Sequence, residues 1–435
     1  MQTNFSLAQL ADPDVAASEG ILRTCVHCGF CTATCPTYVM LGDELDSPRG
    51  RIYLLKEMLE KEQKPSEKVV KHIDRCLSCL SCMSTCPSGV HYMHLVDHGR
   101  KYIAGNFKRP AIDRLLRRVL AIVLPNPNLF RLSLLAAGFA KPFASLLPEK
   151  VRPMLKLAPA QIAPPSDLER PQVVPAQGTR RGRVALLTGC AQKVLAPQIN
   201  EATVRLLTRL GLDVVIGESG CCGALTHHMG DEHSALSAAK KNVAIWQTEM
   251  DGDGLNAIVI NASGCGTTVK DYGFMLRSDP QWAESADRIS RLTCDVSEVV
   301  ERFGEDIIKT ATGLDELLRA RLRVTYHSAC SLQHGQKIKA LPAQLLRAAG
   351  YNVATPAEAH LCCGSAGTYN ILQPELAGRL KARKLSHLAA TAPDVIATGN
   401  IGCMTQLASG NDVPLVHTVE LLDWATGGPR PTALH

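Results

Sequence analysis

No stretch of this 435-residue chain is both long and apolar enough to span a bilayer. The nearest approach, 119–130, is interrupted by Pro125 and Pro127 and falls far short of the ~20 residues a spanning helix needs. The first residues, Met-Gln-Thr-Asn-Phe-Ser-Leu-Ala, lack a basic region followed by an apolar one, so no export signal is expected. Glycine-rich phosphate loops are also missing. No G-x-G-x-x-G follows a strand-like run, no G-x4-G-K-[ST] occurs, and Gly364-Ser-Ala-Gly367 is too short to count. The chain thus shows no flavin or nicotinamide site of its own, and any hydride chemistry falls to another polypeptide. A general excess of one charge is absent too. The net +6 is local: residues 101–150 hold nine Lys/Arg against two Asp/Glu. No nucleic-acid partner is expected. Hydrophobic (46%) and charged (20%) contents are those of an ordinary globular protein, and the length suits two or three domains.

What the chain has in plenty is cysteine, seventeen in all. Without export these thiols are expected to stay reduced and to act as metal ligands, not disulfides. Eight of them form two copies of one run, Cys25-x2-Cys28-x2-Cys31-x3-Cys35-Pro36 and Cys76-x2-Cys79-x2-Cys82-x3-Cys86-Pro87. This is the spacing with which bacterial ferredoxins bind [4Fe–4S] clusters, the fourth cysteine of each run crossing to the other cluster. The expected ligand sets are Cys25, Cys28, Cys31 and Cys86 for cluster A, and Cys76, Cys79, Cys82 and Cys35 for cluster B. Gly29 lets the backbone approach inorganic sulfide. Zinc sites usually take their ligands as two pairs, which fits two triplets with trailing Cys-Pro poorly. Arg49, Arg51, Arg75 and Arg100 lie near the runs and are candidates to offset cluster charge.

Helical sequence separates the two runs. Ser47-Pro48 reads as an N-cap followed by proline at the first helical position, with Ile52, Leu55 and Leu59 on one face. A second helix is expected from about Ser66, and a third over 93–103. The first domain, 1–110, is therefore expected to be an all-α ferredoxin-like unit. Residues 111–147 form a basic amphipathic stretch. Ile112, Leu115, Leu116, Val119, Leu120 and Val123 fall on one face, with Arg114, Arg117 and Arg118 opposite. Such a helix either packs on protein or lies on anionic lipid. Residues 148–182 read as a proline-rich, stiff linker, with seven prolines between Pro148 and Pro175.

The remainder is an internal repeat, 183–312 and 313–435. Arg183-Val-Ala-Leu-Leu-Thr-Gly-Cys190 parallels Arg323-Val-Thr-Tyr-His-Ser-Ala-Cys330, and Cys221-Cys222-Gly223 parallels Cys362-Cys363-Gly364. The spacings agree: 31 residues separate Cys190 from Cys221, and 32 separate Cys330 from Cys362. Cys265 and Cys403 complete each set. Short apolar strands alternate with amphipathic helices such as 200–210 and 373–388, a βαβ rhythm that predicts a parallel sheet in each half. The cysteines then fall at strand ends, where open α/β sheets place ligands. Adjacent cysteine side chains diverge, so each Cys-Cys-Gly suits two irons of one cluster better than a single ion. Two readings stand: a further cluster bound by Cys190, Cys221, Cys222 and Cys265 or by Cys330, Cys362, Cys363 and Cys403, or a scaffold whose thiols are reduced and empty. Cys294 lies outside the repeated frame and reads as a core residue. His227, His228 and His327 sit near cysteines, either as structural residues or as cluster neighbours.

Together the two runs, the intervening Asp46-Ser47-Pro48-Arg49-Gly50-Arg51-Ile52 and the duplicated Cys-Cys-Gly unit resemble the iron–sulfur subunits of bacterial glycolate oxidase. The Ser-Pro-Arg-Gly-Arg-Ile run is similar to lactate-utilisation iron–sulfur proteins as well. The Cys-Cys-Gly units resemble those of heterodisulfide reductase and of the membrane-anchor subunit of anaerobic glycerol-3-phosphate dehydrogenase. The fullest version of that motif ends in Cys-x-x-Cys, whereas this chain has Cys265-Gly-Thr-Thr268 and Cys403-Met-Thr-Gln406. The resemblance implies a non-flavin subunit of an oxidoreductase complex. FAD-bearing partners would oxidise glycolate to glyoxylate. The clusters of this chain would pass electrons singly towards a quinone or another respiratory acceptor. It implies a cytoplasmic protein, peripheral on the inner membrane if 111–147 touches lipid. The alternatives are the equivalent subunit for lactate or glycerol-3-phosphate, and a heterodisulfide-reductase-like catalyst.

Overall fold

The computed structural model of the chain describes residues 1–146, 152–159, 161–309 and 316–435. Its N-terminal part is helical, as the sequence predicts. The Ser47 hydroxyl accepts from the Gly50 N–H at 2.9 Å and opens the helix Pro48–Glu60 with proline in its first turn. Ser66 caps Glu67–Asp74 in the same way, and a longer helix runs Tyr92–Asn106. Their apolar faces meet in a core of Leu55, Leu59, Val70, Ile73, Leu95 and Ile103. Gly99 lets two of these helices touch, since a Cβ there would stand 2.2 Å from Leu55 Cδ2.

The basic segment forms two helices, Ala111–Val123 and Pro127–Ala140. Asn126 caps the second by accepting from the Asn128 and Leu129 N–H groups, with Pro127 in its first turn. The first helix buries Leu120 but leaves much of its apolar face outward. Arg117 and the preceding Arg109 turn inward and bond Asp74 at 3.1 and 2.6 Å. Ile112, Leu115 and Ile122 face outward, 65%, 64% and 53% exposed.

The expected linker is not a plain spacer. Residues 148–151 and 160 lie outside the described residues. The rest includes a helical segment, Arg152–Leu157, and strand β1, Gln172–Val174, which pairs antiparallel with the strand Leu212–Ile216. Pro171 and Pro175 bracket this strand, and an edge is where extended, proline-flanked backbone fits a sheet.

The two repeats are α/β units with parallel strands, as the βαβ rhythm predicts. The first sheet runs β1-β3-β2-β4-β5, with β2 Gly182–Leu187, β3 Leu212–Ile216, β4 Ala257–Ile260 and β5 Thr293–Asp295. Its strands other than β1 are mutually parallel, with Val184 opposite Val214 and Ala257. The second runs β7-β6-β8-β9, all parallel, with β6 Arg323–His327, β7 Asn352–Ala354, β8 Val395–Thr398 and β9 Leu415–His417. The expected boundary between repeats, at 312/313, lies outside the described residues. One hydrophobic core joins the halves, running from Val184 and Leu206 to Val324, Val395 and Trp424. Cys294 belongs to that core, as its position outside the repeated frame suggests.

Candidate iron–sulfur sites

Each ferredoxin-like run folds as one tight loop, and the two loops are built alike. His27 and Gly29 in the first have φ of 59° and 86°; Ser78 and Leu80, at the same places in the second, have φ of 47° and 61°. Three of these four left-handed positions carry a side chain, a strain of the kind that clusters at binding sites. Cys25, Cys28, Cys31 and Cys86 line one cavity, together with Cys82. Cys35 lies close enough to the second loop that it and Cys76 both disfavour ionisation of Cys79 and Cys82.

The eight thiols suit a cage better than a single ion. Ligand sulfurs around one tetrahedral zinc lie about 3.8 Å apart. Among the described residues no three of these eight sulfurs come within 4.8 Å of one another, and all seventeen cysteines are free of disulfides. Burial pushes the Cys31 thiol up to about 11 and raises Cys79 and Cys82 well above the ordinary value, with neighbouring thiols adding to each. Such groups ionise only when a cation replaces their protons. The residues therefore fit iron–sulfur ligation.

The four candidate arginines are all engaged around these loops. Arg51, 1% exposed, reaches Cys35 Sγ at 3.8 Å and donates to Thr37 Oγ1 at 2.9 Å and to Asp46 at 3.3 Å. Arg75 completes the balance on Asp46 at 2.7 Å. Arg100 holds the second loop through the Cys76 carbonyl and Ser78 Oγ, at 2.7 and 2.5 Å. Arg49 bonds Glu44 at 2.7 Å and covers Gly29, where a Cβ would stand 2.7 Å from its Nη1. Tyr92, which the sequence reading did not single out, donates to Cys76 Sγ at 3.8 Å.

The repeat cysteines gather beyond the C-terminal ends of their strands. Cys190 donates to Cys221 Sγ at 3.5 Å, and Cys330 to Cys362 Sγ at 3.7 Å. In both repeats the glycine N–H of Cys-Cys-Gly donates to the first thiol at 3.4 Å. In the second repeat the vicinal cysteines join different clusters, whereas Cys221 and Cys222 of the first share one. Cys362 packs towards Leu77 and Cys79 of the ferredoxin-like unit, while Cys363 joins Cys403 on the other side. Asn400 donates to Cys403 Sγ at 3.4 Å. His327 falls beside Cys363 and Cys403. His227 and His228 instead face Asp97, at 3.3 and 3.9 Å.

The comparisons agree with this layout. Residues 24–90 match the model of a 4Fe-4S dicluster domain, and 184–270 and 324–408 each match that of a cysteine-rich domain. The glycolate oxidase iron-sulfur subunit of Escherichia coli is 40% identical over 98% of this chain and 99% of its own length. A probable glycolate oxidase iron-sulfur subunit of Bacillus subtilis is 33% identical over 94% and 95%. Lactate utilization protein A of Geobacillus thermodenitrificans is 25% identical over 55% of this chain and 98% of its own. Paired ferredoxin-like loops, duplicated cysteine-rich units and end-to-end similarity lead to one conclusion: the chain belongs to the family of glycolate oxidase iron–sulfur subunits.

Proposed function

We propose that this chain is the electron-conducting subunit of a complex in which FAD-bearing partners oxidise glycolate to glyoxylate. The observation that carries the reading is the paired loop geometry, two loops with matching left-handed positions and Cys86 in the cavity of the first with Cys25, Cys28 and Cys31. That arrangement supports ligand sets of Cys25, Cys28, Cys31 and Cys86, and, by the same rule for the other run, of Cys76, Cys79, Cys82 and Cys35. When bound, two [4Fe–4S] clusters supply one-electron carriers between a two-electron flavin and an acceptor. The protein's share is to hold the thiolates, to shield them from water by burial and to balance their charge through Arg51. Glycolate is favoured over lactate because the glycolate oxidase subunits match the chain from end to end, whereas the lactate-utilisation protein covers about half of it.

The acceptor is a quinone or another respiratory carrier reached at the membrane surface. The outward apolar side chains of Ala111–Val123, flanked by Arg114 and Arg118, support peripheral contact with anionic lipid there. No helix among the described residues is long and apolar enough to cross a membrane.

Anaerobic co-purification of the native complex, followed by glycolate addition, tests this reading. Glycolate is expected to reduce the flavin and then to bleach the clusters. Cys79→Ser is expected to stop electron delivery while flavin reduction survives. Loss of flavin reduction in that variant would place the chain elsewhere in the pathway.

A further inference from the structure

The spacing that favours cages at the ferredoxin-like loops gives the opposite answer in the second repeat. A cluster holds its ligand sulfurs further apart than a single ion does, because iron and sulfide stand between them. A ring nitrogen of His327 and the sulfurs of Cys363 and Cys403 all lie within 4.8 Å of one another. Among the described residues no other group of three potential ligands that close contains a cysteine. Gln406 stands where the fullest motif has a further cysteine. It is committed elsewhere, to Asn370 at 3.1 Å and to the Ala377 carbonyl at 3.3 Å. The residues present in this repeat therefore do not fit a cluster, and they do fit one ion.

The two repeats part company at this point. Three residues before the first cysteine of each set stand Leu187 and His327. Gly223 and Gly364 hold the same left-handed turn, and a Cβ on either would strike the carbonyl oxygen of Ala235 or Ala377, at 2.9 and 2.6 Å. Seven residues beyond those contacts stand Asn242 and Lys384, 0% and 2% exposed. Asn242 is spent on the Cys221 carbonyl and the Tyr272 hydroxyl, both at 3.1 Å. Lys384 donates to the Glu358 carbonyl at 2.8 Å and faces the thiols of its repeat. His327 is 1% exposed. Its Nδ1 lies 3.1 Å from Thr398 Oγ1, while Nε2 has no hydrogen-bond partner among the described residues. A buried nitrogen left bare is costly unless something answers it. Metal-ligating histidines are built this way, one nitrogen anchored to an oxygen and the other free. Asn400 donates to Cys403 Sγ at 3.4 Å and holds that thiol in place.

We propose that His327, Cys363 and Cys403 form a single-ion site for zinc, with Nε2 as the nitrogen donor and a solvent-derived ligand closing the tetrahedron. Thiolates with an imidazole are a zinc donor set, and three protein ligands with one open position are an established zinc arrangement. On binding, both sulfurs and the nitrogen bond the ion. The two thiol protons leave to solvent, and no oxidation state changes. A dication and two thiolates cancel, so the Lys384 ammonium meets no net charge. Leu187 offers no donor, so the first repeat has no site of this kind. The ion ties together the end of β6, the Cys-Cys-Gly loop and the helix Ile401–Ala408. Cys362, next to Cys363, packs with Leu77 and Cys79. The ion thereby fixes the loop that packs on the second ferredoxin-like run. This goes beyond the electron-conducting reading and does not depend on it.

The test uses the full chain, prepared anaerobically, with metal analysis and X-ray absorption at the zinc edge. The expected result is about one zinc per chain, bound by two sulfurs at about 2.3 Å and a histidine nitrogen at about 2.0 Å. His327→Leu, the first repeat's own residue, should lose that zinc while the ferredoxin EPR signals persist. His327→Cys should restore it with three sulfurs. Thr398→Val should weaken zinc binding about tenfold or more, read by competition with a chromophoric chelator, because Nδ1 loses its anchor. Zinc-free wild type, a shell of four sulfurs, zinc kept in His327→Leu, or about twelve irons per chain would each overturn this inference. The wild-type measurement requires no variant, so misfolding cannot mask the answer. The conductor reading is judged separately, by bleaching of the ferredoxin clusters with glycolate.

Discussion

Arg51 spends its charge on several groups at once: a ligand sulfur, a threonine hydroxyl, the His72 carbonyl and the buried Asp46 carboxylate. Its removal leaves Asp46 with His72 and Arg75 among the described residues. Arg51→Gln is expected to cost about 3 kcal/mol of stability, read by anaerobic chemical denaturation. It should also move the potential of the adjacent cluster to a more negative value, because a reduced, more anionic state loses its compensating cation. A second test lies at Asp97. Burial pulls His227 down, but Asp97 outweighs it and holds the imidazole above its ordinary value. Burial likewise pushes Asp97 up, and His227 and His228 reverse it. His228 stays lowered by burial, and Arg100 and Asp271 also face His227. A raised histidine contributes stability that is complete below its unfolded pKa and is lost as pH climbs through the folded one. A lowered aspartate contributes above its unfolded pKa and loses it as pH falls through the folded one. Melting temperature is therefore expected to decline on the alkaline side of about pH 6.5, and Asp97→Asn should flatten that slope.

The helix Ala111–Val123 shows how an element's meaning depends on which side it buries. Its periodicity was legible, and so was the placement of arginines opposite the apolar residues. Periodicity does not say which face turns inward, however. Asp74, on a separate helix, draws Arg109 and Arg117 to itself, while Leu120 of the apolar face is buried as well. Replacing Ile112, Leu115 and Ile122 together with serine is expected to leave folding nearly untouched, because all three already face water. Each removed side chain should weaken binding to anionic vesicles by about 1.5 kcal/mol or more, roughly tenfold. Flotation with vesicles of defined composition measures this, and unchanged binding would remove lipid from the account of this face. The proline-rich stretch makes a related point. Its extended backbone was readable, but an extended segment becomes spacer or edge strand according to whether a sheet edge lies within reach, and β3 supplies one.

Across the whole molecule, Tyr369 marks the joint between the ferredoxin-like unit and the second repeat. It packs with Leu77, Cys79 and Cys362, and its hydroxyl donates to the Arg75 carbonyl at 3.2 Å. Tyr369→Ala is expected to cost about 3 kcal/mol or more and to hasten bleaching of the neighbouring cluster by oxygen, whereas Tyr369→Phe should cost only about 1 kcal/mol. The halves of the repeat region are tied likewise by Arg205 and Arg209, which both bond the buried Asp423. None of these joints was visible beforehand, since each pairs residues far apart in the chain. Ligation runs were visible, because cysteines a few residues apart reach one cluster through the local backbone alone, whatever the remainder of the chain does. Duplication was visible for the same reason, as matching strings at matching intervals. The asymmetry between the repeats lay outside that local code. Leu187 against His327, and Asn242 against Lys384, acquire meaning only when folding carries them to thiols dozens of residues away. Long-range packing placed the second repeat, and not the first, against Cys79.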